Sequence, residues 1–182
     1  MEPRNIPVVT NLMRTLKPEW WDYEDALEQL SGKNENIETV GWYLVEDENH
    51  PKVWMICHEL ANYRAIDLEC SGYDNNGIFE AEHKLGQLFE VGTKYAQEKG
   101  YLTFRSGISS TGFNIHGKDI VSIPKAIELL TSERVDYKWY LENGFRVIEI
   151  QPNFYEKGFD LIRLGKEIQP LSKLVIQRTC AN

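Results

Sequence analysis

The sequence predicts a mixed α/β fold of the α+β kind, with a mixed central sheet of about six to seven strands and helices on both faces. Three observations carry that expectation. Apolar residues recur at helical spacing near the N-terminus and change to strand alternation after position 40. Short strands separated by turn residues then follow one another, in the manner of antiparallel neighbours. A long apolar stripe at helical spacing finally separates those strands from a later one, as a crossover between parallel strands requires.

Asn5 can cap a first helix with Pro7 in its first turn, and Val8, Val9, Leu12, Met13 and Leu16 supply its apolar face. Lys17-Pro18 ends it, because proline disfavours helical geometry in the residue before it. A second helix carries Trp20, Tyr23, Ala26, Leu27 and Leu30 and is stopped by Gly32. After the polar connection SGKNENIET, GWYLVED (41–47) reads as a strand, ENHPK as a turn, and VWMICHEL (53–60) as its hairpin partner. RAIDLEC (64–70) alternates, which puts Ile66, Leu68 and Cys70 on one face and Ala65, Asp67 and Glu69 on the other.

SGYDNNG (71–77) is a loop of residues that tolerate tight turns. From Phe79 to Lys99, Ala81, Leu85, Leu88, Phe89, Gly92, Tyr95 and Ala96 form a helical stripe, and Gly100 stands where a left-handed C-cap belongs. YLTFRS (101–106) is a strand, and GISSTGFNIHGKDIV reads as a long loop. Ser122 before Ile-Pro opens a short helix through Leu130; Thr131 or Ser132 caps another that stops at Asn143-Gly144. FRVIEI (145–150) and FDLIRLG (159–165) are strands joined by QPNFYEKG, and LSKLVIQ near the C-terminus is a candidate for one more. No repeat, low-complexity run or linker divides the chain, so 1–182 is expected to form a single domain with an insertion at about 107–131.

Composition excludes more than it assigns. An apolar fraction of 42% and a charged fraction of 26% are those of a globular domain, and no apolar run reaches the length of a membrane span. The N-terminus lacks a charged-then-apolar leader pattern, so a cytoplasmic location is expected. Cys57, Cys70 and Cys180 are scattered, which fits reduced thiols and offers no metal site. The net charge of −8 argues against nucleic acid, whose binding needs a cationic surface to displace counterions. It favours a cationic small molecule through steering, although solubility alone is sufficient reason for it. Membranes are not expected as partners, and a homodimer stays open.

Two segments carry a family resemblance. LGQLFEVGTKYAQEKGYLTF (85–104) is similar to the long central helix, closing E-K-G and following strand of the GNAT superfamily of acyl-CoA-dependent N-acyltransferases. YLENGFRVIEIQPNFYEKGFDLIRLGKEI (140–168) resembles the family's Y-x-x-x-G-F turn, the next strand, its P-N-(F/Y)-Y loop and the last strand. The resemblance implies acetyl-CoA or another acyl-CoA as co-substrate, no metal, and direct transfer to a small amine. It departs from the family in two places: the usual first strand is minimal or absent, and 107–131 is longer than the usual connection. A third departure is chemical. The family's phosphate-binding turn, (R/Q)-x-x-G-x-(G/A), falls on Glu80, Ala81, Glu82, His83, Lys84 and Leu85, where none of the three signature positions matches. Two acidic groups beside a diphosphate oppose it by Coulomb repulsion, which Lys84 and a protonated His83 offset; Gly86 allows the turn to shift by one residue.

Individual residues keep more than one reading. Tyr140 is equally a core tyrosine; the resemblance implies that it protonates the departing thiolate, a role worth about 10²–10⁴-fold in rate. Asp67 and Glu69 are either solvent-facing strand positions or bases that take the amine's proton, and Glu69 lies nearer the end of the strand where the site is expected. The resemblance places the pantetheine arm along Ser71, Gly72 and Tyr73, and the diphosphate at His83, Lys84, Leu85 and Gly86. His58 and Glu59 read as strand-end polar residues, His116 as a solvated loop histidine, and Cys70 as buried and inert. The alternative function is a non-catalytic GNAT-fold binding or regulatory module that has lost tight CoA binding.

Overall fold

The computed structural model describes residues 6–16, 18–19, 21–31, 38–45, 51–73 and 78–169, with the backbone only at 44, 45, 51, 52, 73 and 78–84. Residues 46–50 and 74–77, LSKLVIQ and Cys180 lie outside the described residues; of the expected turn ENHPK (48–52), Pro51 and Lys52 are instead the first residues of a strand. Among the described residues, five α-helices and six strands follow in the order α1 (Ile6–Leu16), α2 (Tyr23–Ser31), β1 (Glu38–Val45), β2 (Pro51–Leu60), β3 (Ala65–Tyr73), α3 (Ile78–Lys99), β4 (Thr103–Ser109), α4 (Ile123–Glu128), α5 (Val135–Glu142), β5 (Arg146–Glu156) and β6 (Phe159–Glu167).

The strands form one mixed sheet in the order β1-β2-β3-β4-β6-β5. β1–β2, β2–β3, β4–β6 and β5–β6 pair antiparallel. Only β3 and β4 are parallel, and the chain needs the long α3 crossover to bring them side by side. Two apolar clusters sandwich the sheet. Val9 and Met13 of α1 and Ala26 of α2 pack on Trp54 and Ile56 from one face. Leu88, Phe89 and Ala96 of α3 and Tyr137 and Tyr140 of α5 pack on Met55, Cys57, Ile66, Leu68, Phe104 and Leu164 from the other.

The alternation expected along β3 breaks at Glu69. Cys57 pairs with Leu68 but Ile56 pairs with Cys70, so Glu69 is an extra residue, a β-bulge. Cys70 therefore turns to the α1/α2 face, beside Ile56, rather than joining Ile66 and Leu68 under α3. Gly72 follows on that face directly under Trp54, where a Cβ would lie 2.0 Å from the ring.

Other boundaries differ for local reasons. β4 runs on to Ser109, so the insertion begins three residues later than expected, and it is ordered by turns, a Phe113–Ser132 bridge and α4. α5 starts with Arg134 as its N-cap rather than Thr131 or Ser132, although the Ser132 hydroxyl accepts the Arg134 N–H at 3.2 Å. The loop expected at QPNFYEKG is strand for most of its length; β5 reaches Glu156 through an irregular register after Gln151. Asn153, at φ 55°, makes the kink, with its N–H held by Asp160 Oδ1 at 2.9 Å.

Candidate functional site

The site begins where the two parallel strands part. β3 and β4 pair from Ala65–Thr103 to Leu68–Ser106 and no further. Beyond that point β3 stays with β2 as far as Tyr73, while β4 stays with β6 as far as Ser109. The bulge at Glu69 bends β3 away at the place where the pairing stops. The sheet thus opens as a wedge, and among the described residues no strand pairs with the β4-facing edge of Glu69–Tyr73. A free strand edge of that kind presents N–H and C=O groups that an extended, amide-bearing chain can pair with.

A cleft of about 420 Å³ occupies the wedge on the α3 face. Ser71 and Ile108 stand on its two sides, Leu85 and Phe89 of α3 and Trp139 and Tyr140 of α5 form its walls, and Arg134 and Asp136 lie at its rim. The Asn-Gly stop after Tyr140 explains why the phenol is held there. Gly144, at φ 83°, lets its own N–H reach the Leu141 carbonyl and the Phe145 N–H reach the Tyr140 carbonyl, at 3.1 and 3.0 Å. That closure turns the chain sharply into β5 and seats Phe145 against the Tyr140 ring, with centroids 5.1 Å apart.

Tyr140 is 8% exposed, and its hydroxyl lies 2.8 Å from the Ser106 Oγ. Burial pushes its pKa up to about 12, against the hydrogen bond with Ser106, which lowers it. The phenol is therefore protonated at neutral pH and can donate, not accept, a proton.

The Arg134 guanidinium is fully engaged at the cleft rim. Its Nη1 donates to the carbonyls of Ser109 and Thr111 at 3.0 and 2.8 Å, and its Nε donates to Asp136 Oδ1 at 2.9 Å. Burial works against the Asp136 carboxylate, but the hydrogen bond and charge of Arg134 and the Tyr137 amide outweigh it and hold its pKa below the ordinary value.

Glu69 lies across the sheet from Tyr140. Its side chain is 44% exposed and sits 3.6 Å from His58 Nδ1, on the face opposite α3. Beside it, Asp67 accepts from Arg163 Nη1 at 2.9 Å, and Arg163 Nε is 3.6 Å from Glu149. Burial raises the Asp67 pKa, against the charges of Arg163 and Arg105. Asp67 is thereby committed to an ion pair, whereas Glu69 faces solvent at the bulge.

Of the residues the sequence singled out, Tyr140, Ser71 and Leu85 meet in one cleft, and Glu69 borders the same wedge from the other face. Gly72 is explained by Trp54 alone. Gly86 lines a second groove of about 170 Å³ with Lys94, Asn143 and Lys166, and no atom lies within 4 Å of where its Cβ would be. The expected phosphate turn is not a turn: α3 is helical from Ile78, because Glu-Ala-Glu-His-Lys-Leu are helix formers with no glycine to break them. The free amides of its first turn are those of residues 78–81, while His83, Lys84, Leu85 and Gly86 stand deeper in the helix. The side chains of Tyr73, His83 and Lys84 lie outside those described.

Sequence reasoning missed Ser106, Arg134 and Asp136. Ser106 left a signal, being the one polar residue between Phe104 and Ile108 on the inward face of β4. Two other residues read differently in place. Glu59 is buried and accepts hydrogen bonds from the hydroxyls of Tyr95 and Tyr101. His116 is packed rather than solvated, edge-on to Phe159 with its Nδ1 3.2 Å from Ser110 Oγ. Among the described residues no helix is long and apolar enough to cross a membrane.

A sheet splayed between two parallel strands, with helices on both faces and a cleft in the wedge, is an arrangement that solved structures share. The aminoglycoside 6'-N-acetyltransferase from Enterococcus faecium superposes with a TM-score of 0.79 at 17% identity, over 94% of this chain and 95% of that one. An aminoglycoside 6'-N-acetyltransferase complexed with coenzyme A gives 0.76 at 16% identity, over 94% and 95% of the two chains. The ribosomal-protein-S18-alanine N-acetyltransferase from Escherichia coli gives 0.59 at 13% identity, over 96% and 95%. The fold of this protein is the GNAT fold. No protein-family model and no curated protein sequence matches the chain.

Proposed function

We propose that the protein is an acyl-CoA-dependent N-acyltransferase that moves an acyl group, acetyl or larger, directly from the thioester to a small cationic amine. The observation that carries this reading is the wedge itself: a free strand edge at Glu69–Tyr73 facing a cleft whose wall holds a protonated, buried phenol. The wedge fits a thioester arm. The edge at Ser71 pairs with its amides, Leu85 and Ile108 bound its width, and the first-turn amides of α3 lie in the direction of a diphosphate.

Attack by a neutral amine nitrogen on the thioester carbonyl forms the C–N bond and breaks C–S. Tyr140 gives its proton to the sulfur, so a thiol leaves. Glu69, on the other face of the same gap, takes the proton released from nitrogen, directly or through water. The solved relatives with this fold are named for aminoglycoside and protein-alanine acceptors, which supports an amine as acceptor. The net charge of −8 and the carboxylates of Glu69 and Glu149 favour a cationic one.

A GNAT-fold binding or regulatory module is the second reading, favoured by the replaced glycine signature and the unbroken helix at 78–86. Thiol release from acetyl-CoA separates the two. With a panel of primary diamines and aminoglycosides, the transferase releases CoA thiol only when amine is present. Failure to bind CoA at millimolar concentration leaves the module, and CoA binding with no thiol released by any amine removes the transferase.

A further inference from the structure

Ser106 is the residue the proposed chemistry leaves unused. It is the last residue of β4 that pairs with β3, and it also pairs with Leu164 of β6, so its backbone is fixed from both sides. Its side chain is 1% exposed, between Phe104 and Ile108 on a face that is otherwise apolar. A hydroxyl there needs a partner, because a buried polar group without one is costly. Among the described residues that partner is the Tyr140 hydroxyl, 2.8 Å away.

The direction of this bond decides what the phenol can do. If Tyr140 donated, its proton would be tied to β4, and the serine proton would have no acceptor among the described residues. If Ser106 donates, both hydroxyls are used and the phenol proton is free to turn into the cleft. We propose that Ser106 is a positioning residue for Tyr140: its hydroxyl donates to the phenol oxygen and aims the phenol proton at the leaving sulfur. This rests on the acyltransferase reading and extends it.

The balance is simple. As the C–S bond breaks, its electron pair stays on sulfur, which takes the phenol proton. The oxygen of Tyr140 is left negative beside the Ser106 O–H, and solvent returns the proton after the thiol departs. Ser106 itself gains and loses nothing; it holds a hydrogen bond that strengthens as charge develops. The other titratable groups that act on this phenol are Cys57 of β2, kept as a neutral thiol by burial, and the Asp136 carboxylate and Arg134 guanidinium at the start of α5. The last two oppose each other and act at a distance, whereas Ser106 is, among the described residues, the group in direct hydrogen-bond contact with the oxygen.

The test is a set of variants assayed for thiol release. Ser106→Ala should lower kcat about tenfold, the scale of one buried hydrogen bond, with KM for acetyl-CoA unchanged. Ser106→Thr should restore most of it. In a Tyr140→Phe background, Ser106→Ala should cost nothing further, because its effect passes through the phenol oxygen. Ser106→Cys, nearly the same size and a weak donor, should lose kcat as Ala does and covers the case in which Ala does not fold. A wild-type kcat in Ser106→Ala beside an impaired Tyr140→Phe overturns the role of Ser106 and leaves the acyltransferase reading standing. An equal loss in the Tyr140→Phe background also overturns it, as a packing effect. Absence of thiol release from the wild-type protein removes the acyltransferase reading, and this role with it.

Discussion

Tyr140 shows how much a single residue can be read from its sequence setting. Its place four positions before a glycine marked a helix end, and that helix end is what holds the hydroxyl in the wedge. Replacing it with phenylalanine keeps the ring among Phe89, Trp139 and Phe145 and removes only the proton donor and one hydrogen bond. Tyr140→Phe should lower kcat by about tenfold or more with KM for acetyl-CoA little changed; steady-state thiol release reads this directly. An unaltered kcat would take Tyr140 out of the chemistry. The buried phenols and thiols also set a pH dependence. Burial raises the pKa of Tyr140 to about 12 from an ordinary 10.0 and that of Cys70 to about 12 from 9.0, and Cys57, Tyr95 and Tyr101 shift upward as well. Tyr95 and Tyr101 owe this to burial first and to the Glu59 carboxylate second. Each group keeps its proton in the fold after the unfolded chain has lost it. The stability this gives is complete below pH 9.0 and is lost as pH rises toward 12. Urea midpoints should therefore fall steadily over about pH 9 to 11.5, and a flat profile would contradict the burial of these groups. The burial of Tyr140 and Cys70 was within reach of the sequence, but the role of Glu59 was not: it looked like a strand-end residue, because its two phenol partners lie 36 and 42 positions along the chain.

At the level of elements, helices and strands were visible in the sequence because each carries an apolar face of the right period, and the ends marked by Gly100 and Gly144 fell where expected. What the pattern could not show is where one residue too many is inserted. Glu69 keeps the alternation of RAIDLEC intact to the eye, yet it turns Cys70 to the opposite face. A bulge depends on the partner strand, which a local period does not contain. The 110–131 segment was opaque for a related reason: its order comes from outside contacts, above all from Arg134. That side chain ties the carbonyls of Ser109 and Thr111 to Asp136 and lies 5.7 Å from the Phe113 ring. Arg134→Gln should release the segment from α5, at a cost of about 2–3 kcal/mol for bonds to a charged donor. For a chain of this size that corresponds to a melting temperature lower by roughly 4–12 °C. Calorimetry measures the shift, and limited proteolysis should show new cleavage between 110 and 131. A variant that melts like the wild type and resists cleavage would show that turns alone hold the segment.

For the molecule as a whole, the wedge splits the sheet into two halves, β1-β2-β3 and β4-β6-β5, joined by four paired positions, Ala65–Leu68 with Thr103–Ser106. The strand order was within reach of the sequence, since a long helix between strands implies a parallel crossover. The splay was not, because nothing in β3 or β4 alone states where their pairing stops. A thioester arm lying along Glu69–Tyr73 would bridge the halves, and binding to the folded state alone adds RT ln(1 + [L]/Kd) to its stability. At a hundred times its Kd, acetyl-CoA should contribute about 2.7 kcal/mol, or roughly 5–10 °C in melting temperature. Size alone does not identify where the ligand sits, so the second measurement is amide exchange. The β4-facing amides of Glu69–Tyr73 pair with no strand among the described residues and should exchange fast in the free protein. Acetyl-CoA should slow them, along with the first-turn amides of α3 at 78–81. A thermal shift without protection at Glu69–Tyr73 would mean that the ligand binds outside the wedge, and that the two halves of the sheet are not what it joins.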